Sequence, residues 1–255
     1  MANKLALCGI TALAIASGAA VHAQERSEQG KLSLGMGVAW VPSPYRAYDN
    51  KALPLPMASY EGQRFFLRGP SFGARLWNSS SSELAVALSP IGNRFQHKDS
   101  RDPQLKQLNN RDISAQIGLQ WQTRGTWGRL ALAAQKEVTG HGGGHAFDAN
   151  YSYAMPFGKA VVITPMVGVA YTSSALNDYY YGITAKEAQR SGLPEYRSGS
   201  STAPYAGASA MIRLGSRWSA VGNIRYSRLA DAITDSPMVR GSTTVGYSVA
   251  LLYTF

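Results

Sequence analysis

Histidine side chains are the first candidates for chemistry in this sequence, because histidine serves as a general base and as a metal ligand near neutral pH. His97, His141 and His145 follow the N-terminal leader that is described below. His141 and His145 flank three consecutive glycines, and Asp148 lies three residues further along the chain. A metal site needs a third ligand on a fixed backbone, and the glycines oppose that preorganisation. The sequence therefore favours a flexible loop here, with no metal and no other cofactor.

Hydrolytic chemistry would need a serine or an aspartate beside one of these histidines. Both residue types are common in the polar stretches, but no nucleophile motif stands out among them. Catalytic groups also need a tight mutual geometry, which glycine-rich loops do not favour. Cys8 is the single cysteine and lies inside the leader, so the remaining chain has no disulfide, thiolate metal site or cysteine nucleophile. The sequence predicts a protein that is not an enzyme.

Charged side chains at alternating positions are the second set that could act on a ligand. In several stretches polar and apolar residues alternate, and charged residues fall on the polar side of the alternation. Inside a narrow barrel such charges neutralise one another and fill the lumen. The alternative is that they line an open pore and select its solutes. The candidates for lining the lumen are Asp112, Arg129, Glu137, Asp148, Arg213 and Arg225.

The strands that must position these side chains are clearest at the C-terminus. In residues 243–255 large apolar side chains occupy every second position, ending with Tyr253 and Phe255. Side chains alternate between the two faces of a strand, so one face is apolar while the other is small or polar. This pattern, ending the chain on an aromatic residue, is typical of the closing strand of an outer-membrane barrel. Tyr253 and Phe255 also resemble the signal that the barrel assembly machinery recognises.

The same alternation recurs along the chain and predicts an all-β, transmembrane antiparallel β-barrel. Short turns and long loops follow one another, as the periplasmic turns and external loops of such barrels do. The strand number must be even for both chain ends to lie on one side, and twelve strands satisfy this. The alternative is ten strands, with 64–68 and 71–77 outside the barrel. The twelve predicted strands are 30–40, 52–60, 64–68, 71–77, 83–95, 112–122, 127–138, 147–153, 159–172, 203–214, 217–229 and 243–255.

The N-terminus and the composition place the protein in the cell envelope. Residues 1–23 contain Lys4, an apolar run and a small-residue cleavage signature, which indicate a cleaved signal peptide. Residues 24–255 are then one barrel domain in the Gram-negative outer membrane. The chain carries a formal net charge of +10. Because an exported protein rarely meets nucleic acid, lipopolysaccharide, outer-membrane lipid and peptidoglycan are the better partners for this charge.

The longest connection, 173–202, contains the one helix that the sequence predicts. Thr184 and Glu187 have the spacing of a capping box, and Gly192 followed by Pro194 supplies the stop. We therefore expect a short helix between them in an external loop.

Several segments together resemble the MipA/OmpV family, the MltA-interacting outer-membrane proteins. They span most of the chain and comprise 53–56, 64–67, 140–145, 180–196, 226–229 and 235–240. The segment 180–196 is the most specific of them. Its motif residues are Tyr180, Tyr181, Gly182, Thr184, Glu187, Ser191, Gly192, Leu193, Pro194 and Tyr196.

The resemblance implies an outer-membrane barrel without catalytic residues. For the namesake of the family it implies a scaffold that joins a lytic transglycosylase to a penicillin-binding protein in peptidoglycan organisation. Other relatives are described as surface antigens or adhesins. Two alternative functions therefore stay open, namely a small-solute channel lined by arginines and an adhesin that acts through the 173–202 loop.

Overall fold

The computed structural model describes residues 30–50, 52–91 and 93–255, and the predicted signal peptide lies outside this part of the chain. The described chain is dominated by strands whose side chains alternate between buried and exposed positions. The strands are β1 Leu32–Trp40, β2 Leu53–Glu61, β3 Phe65–Arg68, β4 Ser71–Asn78, β5 Ser82–Ile91, β6 Ser114–Gly125, β7 Gly128–Glu137, β8 His145–Ser152, β9 Met155–Phe157, β10 Val161–Thr172, β11 Ser201–Arg213, β12 Trp218–Arg228 and β13 Thr243–Thr254.

These strands form one closed antiparallel barrel. Each strand pairs with its neighbours in the chain, and β13 closes the sheet against β1 with Leu34 opposite Tyr253. β8 and β9 both pair with β10 and occupy one position in the wall, so the barrel has twelve strands. The predicted strand number and closing strand are confirmed. The ten-strand alternative is wrong, because β3 and β4 pair within the wall between β2 and β5.

The outer face of the barrel is apolar, whereas the inner face is mostly small or polar, with a few buried apolar clusters such as Met211, Val221 and Leu252. On β1 the outward side chains of Met36 and Val38 are 70% and 57% exposed. Inward positions on the same strand are serine, glycine or alanine, and a Cβ at Gly35 would overlap the backbone carbonyl of Leu251. Alternate apolar positions thus form the band that faces lipid, as the period of two requires.

The two ends of the barrel differ in the length of the connections between strands. At the end that holds Gly30 and Phe255, which we call the turn end, the connections are 62–64, 79–81, 126–127, 158–160 and 214–217. At the opposite end, which we call the loop end, they are 41–52, 69–70, 92–113, 138–144, 173–200 and 229–242. The hairpin turn at 69–70 is the exception to the long connections of the loop end.

Three short helices lie in the loops, and none in the described chain is long and apolar enough to cross a membrane. They are α1 Ser174–Tyr181, α2 Ala185–Ser191 and α3 Asp231–Thr234. The predicted helix is α2, and its capping box is present, with Thr184 accepting from the Glu187 backbone. Gly192 ends α2 with φ of 72°, a left-handed conformation that glycine adopts without strain.

The C-terminal aromatic residues belong to the closing seam of β13 and β1. The backbone amide of Phe255 donates to the carbonyl of Leu32 at 3.0 Å. The Tyr253 ring contacts both Phe255 and Trp218 edge to face, with centroids 5.0 Å apart in each pair. An aromatic group therefore marks the turn-end rim at the point where the chain finishes.

Candidate functional site: the barrel interior

A cluster of four charged side chains lies inside the barrel at the turn end. Arg68 donates to Glu61 at 2.6 Å and to Glu83 at 3.0 Å. Arg75 donates to Glu83 at 2.5 Å and also pairs with Glu61. All four are inward positions on β2 to β5, and each carboxylate contacts both guanidinium groups. The charges are therefore neutralised in pairs, as burial of charged groups requires.

An aromatic ring supports this cluster from within the lumen. Phe66 is 1% exposed, and the guanidinium carbons of Arg68 and Arg75 lie 4.0 and 5.3 Å from its ring centroid. Gly73, on the neighbouring strand, leaves the space that the ring fills, because a Cβ there would overlap it. The ring thus takes part in cation–π contacts that are strengthened by exclusion of water.

The polar network continues from the cluster along the inner wall to β7. Gln122 donates to Glu83 at 3.1 Å, and Arg129 donates to Gln122 at 2.8 Å. Side chains from β2 through β7 are thereby linked in one chain of hydrogen bonds. This network lies along the inner wall near the turn end.

A second polar group lies on the opposite inner wall. The Tyr205 hydroxyl donates to Asp148 at 3.0 Å and accepts from Asn150 at 3.3 Å. Arg225 lies over the Tyr205 ring, with its guanidinium carbon 3.4 Å from the centroid. The Nη1 atom of Arg225 is buried and has no hydrogen-bond partner among the described residues. Arg225 therefore retains a donor that a ligand could use.

Between the two polar groups and the loops lies a cavity of about 290 Å³. Its charged lining comprises Arg68, Glu83, Arg129, Asp148 and Arg225. Three cations and two anions meet there, and aromatic and aliphatic side chains complete the wall. The cavity could hold an amphipathic or anionic molecule.

The loops pack together over the cavity as a hydrophobic cap. Tyr180 and Phe95 are 1% and 0% exposed although both lie beyond the strands. The Tyr180 hydroxyl donates to Ser114 at 2.9 Å, and the Tyr45 hydroxyl donates to the carbonyl of Tyr180 at 3.1 Å. These bonds join the cap to the barrel wall. The buried members of the cap are Tyr45, Ile91, Phe95, Leu105, Leu108, Leu176, Tyr180, Tyr181, Ile183, Leu193, Ile233 and Met238.

Glu187 of α2 is the main polar anchor of the cap. It is 1% exposed and accepts from Arg111 at 2.8 Å and from the backbone amide of Asn109 at 2.9 Å. Its second oxygen accepts from the backbone amide of Thr184 at 3.0 Å. Burial raises the pKa of Glu187, but the hydrogen bonds from Asn109 and Thr184 and the Arg111 charge outweigh it and lower the pKa below its usual value.

Most of the remaining motif residues of 180–196 serve the cap. Gly182 presents its carbonyl to Arg111 at 3.1 Å, and Ser191 donates to the carbonyl of Glu187 at 2.7 Å. The Tyr196 hydroxyl donates to the carbonyl of Ala232 at 3.0 Å, which joins two loops. Tyr181 and Leu193 are buried in the cap, whereas Pro194 is exposed after Gly192. The structure gives this motif a part in closing the loop end.

The charged residues that were predicted to line the lumen lie in different places. Arg129, Asp148 and Arg225 border the cavity. Glu137, at the end of β7, accepts from the backbone amide of Gly143 at 3.0 Å and thereby orders the glycine-rich loop. Asp112 precedes β6, lies in the loops and accepts from Gln96, and Arg213 is exposed at the turn end.

Sequence reasoning missed the cluster of Glu61, Arg68, Arg75 and Glu83. β3 has four residues, which is too short to show a period of two. The only available signal was the density of charge around two adjacent turns.

The histidines contribute contacts within the loops. The His141 ring stacks on Tyr179 at 5.1 Å, and its Nδ1 lies 3.2 Å from the Ser114 hydroxyl. Ser114 is 2% exposed and also accepts from Tyr180. This serine is therefore a tether between cap and wall, inaccessible to a substrate. Among the described residues no group of three or more His, Cys, Asp or Glu side chains could hold a metal ion.

Gly73→Ala tests the packing of the turn-end cluster. The added methyl group would meet the Phe66 ring, and overpacking of this kind typically costs about 1–3 kcal/mol. We expect a lower denaturant midpoint for the loss of heat-modifiable migration on gels. Gly222→Ala is the matched control, because a Cβ there meets nothing closer than 3.9 Å. Equal midpoints for the two variants would contradict the packing described.

Acidification tests the anchor of the cap. Because the folded pKa of Glu187 is lowered, its stabilising contribution is present above the ordinary carboxyl pKa and is lost as pH falls through the folded value. Proteolysis or hydrogen exchange of the 173–200 loop should therefore accelerate below about pH 4.5. Glu187→Gln should show the faster rate already at pH 7. Glu195→Gln, whose side chain is 49% exposed, should behave as the unsubstituted protein, and equal effects of both variants would refute the anchoring role.

Comparison with known proteins agrees with this architecture. The family model described as "MltA-interacting protein MipA" matches residues 34–255. The "MltA-interacting protein" of Escherichia coli (strain K12) is 36% identical over 255 residues, covering 99% of this chain and 100% of that protein. The "Putative outer membrane protein YiaT" of the same organism is 34% identical over 209 residues, covering 82% and 85%.

One solved structure illustrates the general likeness of barrels. The translocator domain of the autotransporter NalP from Neisseria meningitidis is 11% identical, covers 94% of each chain and has a TM-score of 0.45. The family match and the relatives named outer membrane proteins carry the assignment instead. The chain belongs to the family of the MltA-interacting protein MipA and is a β-barrel of the cell outer membrane.

Proposed function

We propose that this protein is a non-enzymatic docking barrel that binds a murein-degrading lytic transglycosylase at the outer membrane. The observation that carries the proposal is the match to the MltA-interacting protein at 36% identity along the whole chain. A penicillin-binding protein is the second partner in the proposed scaffold. Such a scaffold would bring an enzyme that cuts peptidoglycan close to one that makes it.

We infer that the interior is obstructed, which supports a role that depends on surfaces. The ion-pair cluster and its hydrogen bonds line the lumen near the turn end, and the hydrophobic cap packs at the loop end. An open channel would instead keep a hydrated passage between the two ends. We therefore favour docking over the transport of small solutes.

The turn end is the surface that suits a partner in the periplasm. Outer-membrane barrels direct their short turns to that side. The described turn end carries exposed cations and contributes no exposed carboxylate side chain, since Glu61 is buried in the ion cluster. We call these cations the basic rim, and they are Lys31, Arg64, Lys159, Arg213 and Arg217. A rim of one sign attracts an acidic protein surface or the carboxylates of peptidoglycan.

Charge reversal of the rim tests this docking surface. In the triple variant R64E/K159E/R217E, affinity for the purified lytic transglycosylase should fall about tenfold, mainly through slower association. The difference should shrink as salt is raised, because exposed charges are screened. Surface plasmon resonance on detergent-solubilised barrel would measure both effects.

A matched control alters the same number of charges at the other end of the barrel. Lys106, Arg197 and Arg240 are exposed cations in the loops. Their reversal to glutamate should leave the affinity unchanged. If the loop-end variant loses binding and the rim variant keeps it, the partner docks on the outside of the cell or on the loops, and the proposed surface is wrong. Absence of binding by the unsubstituted protein would refute the proposed function itself.

A further inference from the structure

The ladder of hydrogen bonds in the barrel wall is interrupted at one place. β3 has four residues, and its hairpin with β4 turns back at 69–70, well below the loop end. Beyond this turn the wall continues with residues 53–57 of β2 on one side and residues 89–91 of β5 on the other. Among the described residues no strand pairing joins these two segments. We call this interruption the seam.

Prolines occupy the seam edge of β2. The amide of Gly69 donates to the carbonyl of Ala58, so the even-numbered positions of β2 direct their backbone groups away from β1. Pro54 and Pro56 share this direction and therefore face the seam. A proline has no N–H, so neither position leaves an unpaired donor or offers one to an incoming strand.

The edge of β5 on the other side of the seam also carries a proline. Val138 donates to the carbonyl of Ala115, so Ala115 directs its backbone groups toward β7. Pro90 stands opposite Ala115 in the register of β5 and β6, and its backbone therefore faces the seam. The prolines on both edges hinder another strand from pairing there, and proline protects exposed sheet edges in this way. The seam is thus a fixed feature of the wall.

The seam lies at the depth of the lipid hydrocarbon. Pro54 and Pro56 stand opposite Val38 and Met36 in the register of β1 and β2. The side chains of Val38 and Met36 are among the exposed apolar residues of the outer band. Whatever enters through the seam therefore comes from the membrane and carries an apolar part.

The cavity lies directly behind the seam. Ser71, Ser89 and Ile91 border the seam and also line the cavity. Deeper in the same cavity stands Arg225, with its buried Nη1 atom lacking a partner. In the proposed docking barrel, the ion-pair cluster and the cap obstruct the two ends. The seam is therefore the route by which a ligand from the membrane would reach Arg225.

We propose that the seam admits a single-chain lipid carboxylate, such as a fatty acid, from the membrane into the cavity. The acyl chain lies in the seam among apolar side chains, and the carboxylate accepts hydrogen bonds from Arg225. A guanidinium group suits this role because its planar donors match a carboxylate. The prolines keep the passage free of a competing strand. Binding is non-covalent and extends beyond the docking function.

Photo-crosslinking tests the proposal directly. The purified barrel in lipid nanodiscs is irradiated with a diazirine-labelled palmitate, and the labelled residues are found by mass spectrometry. We expect label on inward residues behind the seam, including Ser71 and Ser89, and competition by palmitate but weakly by its methyl ester. Label confined to outward residues such as Met36 would overturn the proposal, because it would show only the lipid annulus.

Three variants separate recognition from folding. Arg225→Gln should weaken palmitate binding at least about tenfold, since the carboxylate loses its charged partner. Arg213→Gln, at an exposed turn-end position, is the matched control and should bind normally. Ser89→Phe should block entry while Arg225 stays in place. Heat-modifiable migration confirms that each variant is folded, and equal binding by folded Arg225→Gln and Arg213→Gln would refute the assignment.

Discussion

The pairing of Glu61 and Glu83 with Arg68 and Arg75 is the interaction on which the interior of this barrel depends. β3 pairs with β2 through only three residue pairs, so hydrogen bonds between strands give that part of the wall little support. The four charged groups connect β2, β3, β4 and β5 from inside. Removing one partner of a buried pair leaves an uncompensated charge, which typically costs about 3–5 kcal/mol. The same contacts, which we propose obstruct the lumen, therefore also hold the shortest hairpin in the wall.

That short hairpin has a consequence at the loop end. Because β3 and β4 turn back early, the wall has fewer strands toward the loop end. The exposed edges of β2 and β5 must then leave no unpaired backbone donor in lipid. Proline at positions 54, 56 and 90 removes the donors from those edges. The cap, anchored by Glu187 and Arg111, covers the lumen above. A barrel that is obstructed at both ends, as we propose, and interrupted at its side has surfaces that face the periplasm and the lipid.

Much of the fold could be predicted from the sequence because it depends on local periods. The alternation ending at Phe255 identified the closing strand, and loop parity gave the strand number. The capping box of Thr184 and Glu187 gave α2, because its signal is contained in four residues. The sequence predicts that a strand begins at Asp112, but β6 begins at Ser114. The backbone amide of Asp112 donates to the Tyr179 hydroxyl in the loops, and this contact competes with hydrogen bonding between strands.

The interior was harder to predict because it depends on register between strands. The position at which each strand ends relative to its neighbours decides whether an inward arginine reaches the cavity. Arg129 and Arg225 border it, whereas Arg213 does not. The meaning of Pro54, Pro56 and Pro90 appears only once hydrogen-bond directions are known. From the sequence alone, these prolines indicate only interruptions of regular structure near loops.

Conductance across planar lipid bilayers tests the central claim, that the interior is closed at both ends, most directly. Purified barrel reconstituted at neutral pH should give no stable ion conductance, because the network from Glu61 to Arg129 and the loop cap leave no hydrated path. A steady, ohmic single-channel conductance from the folded protein would contradict the claim and would favour the channel function instead.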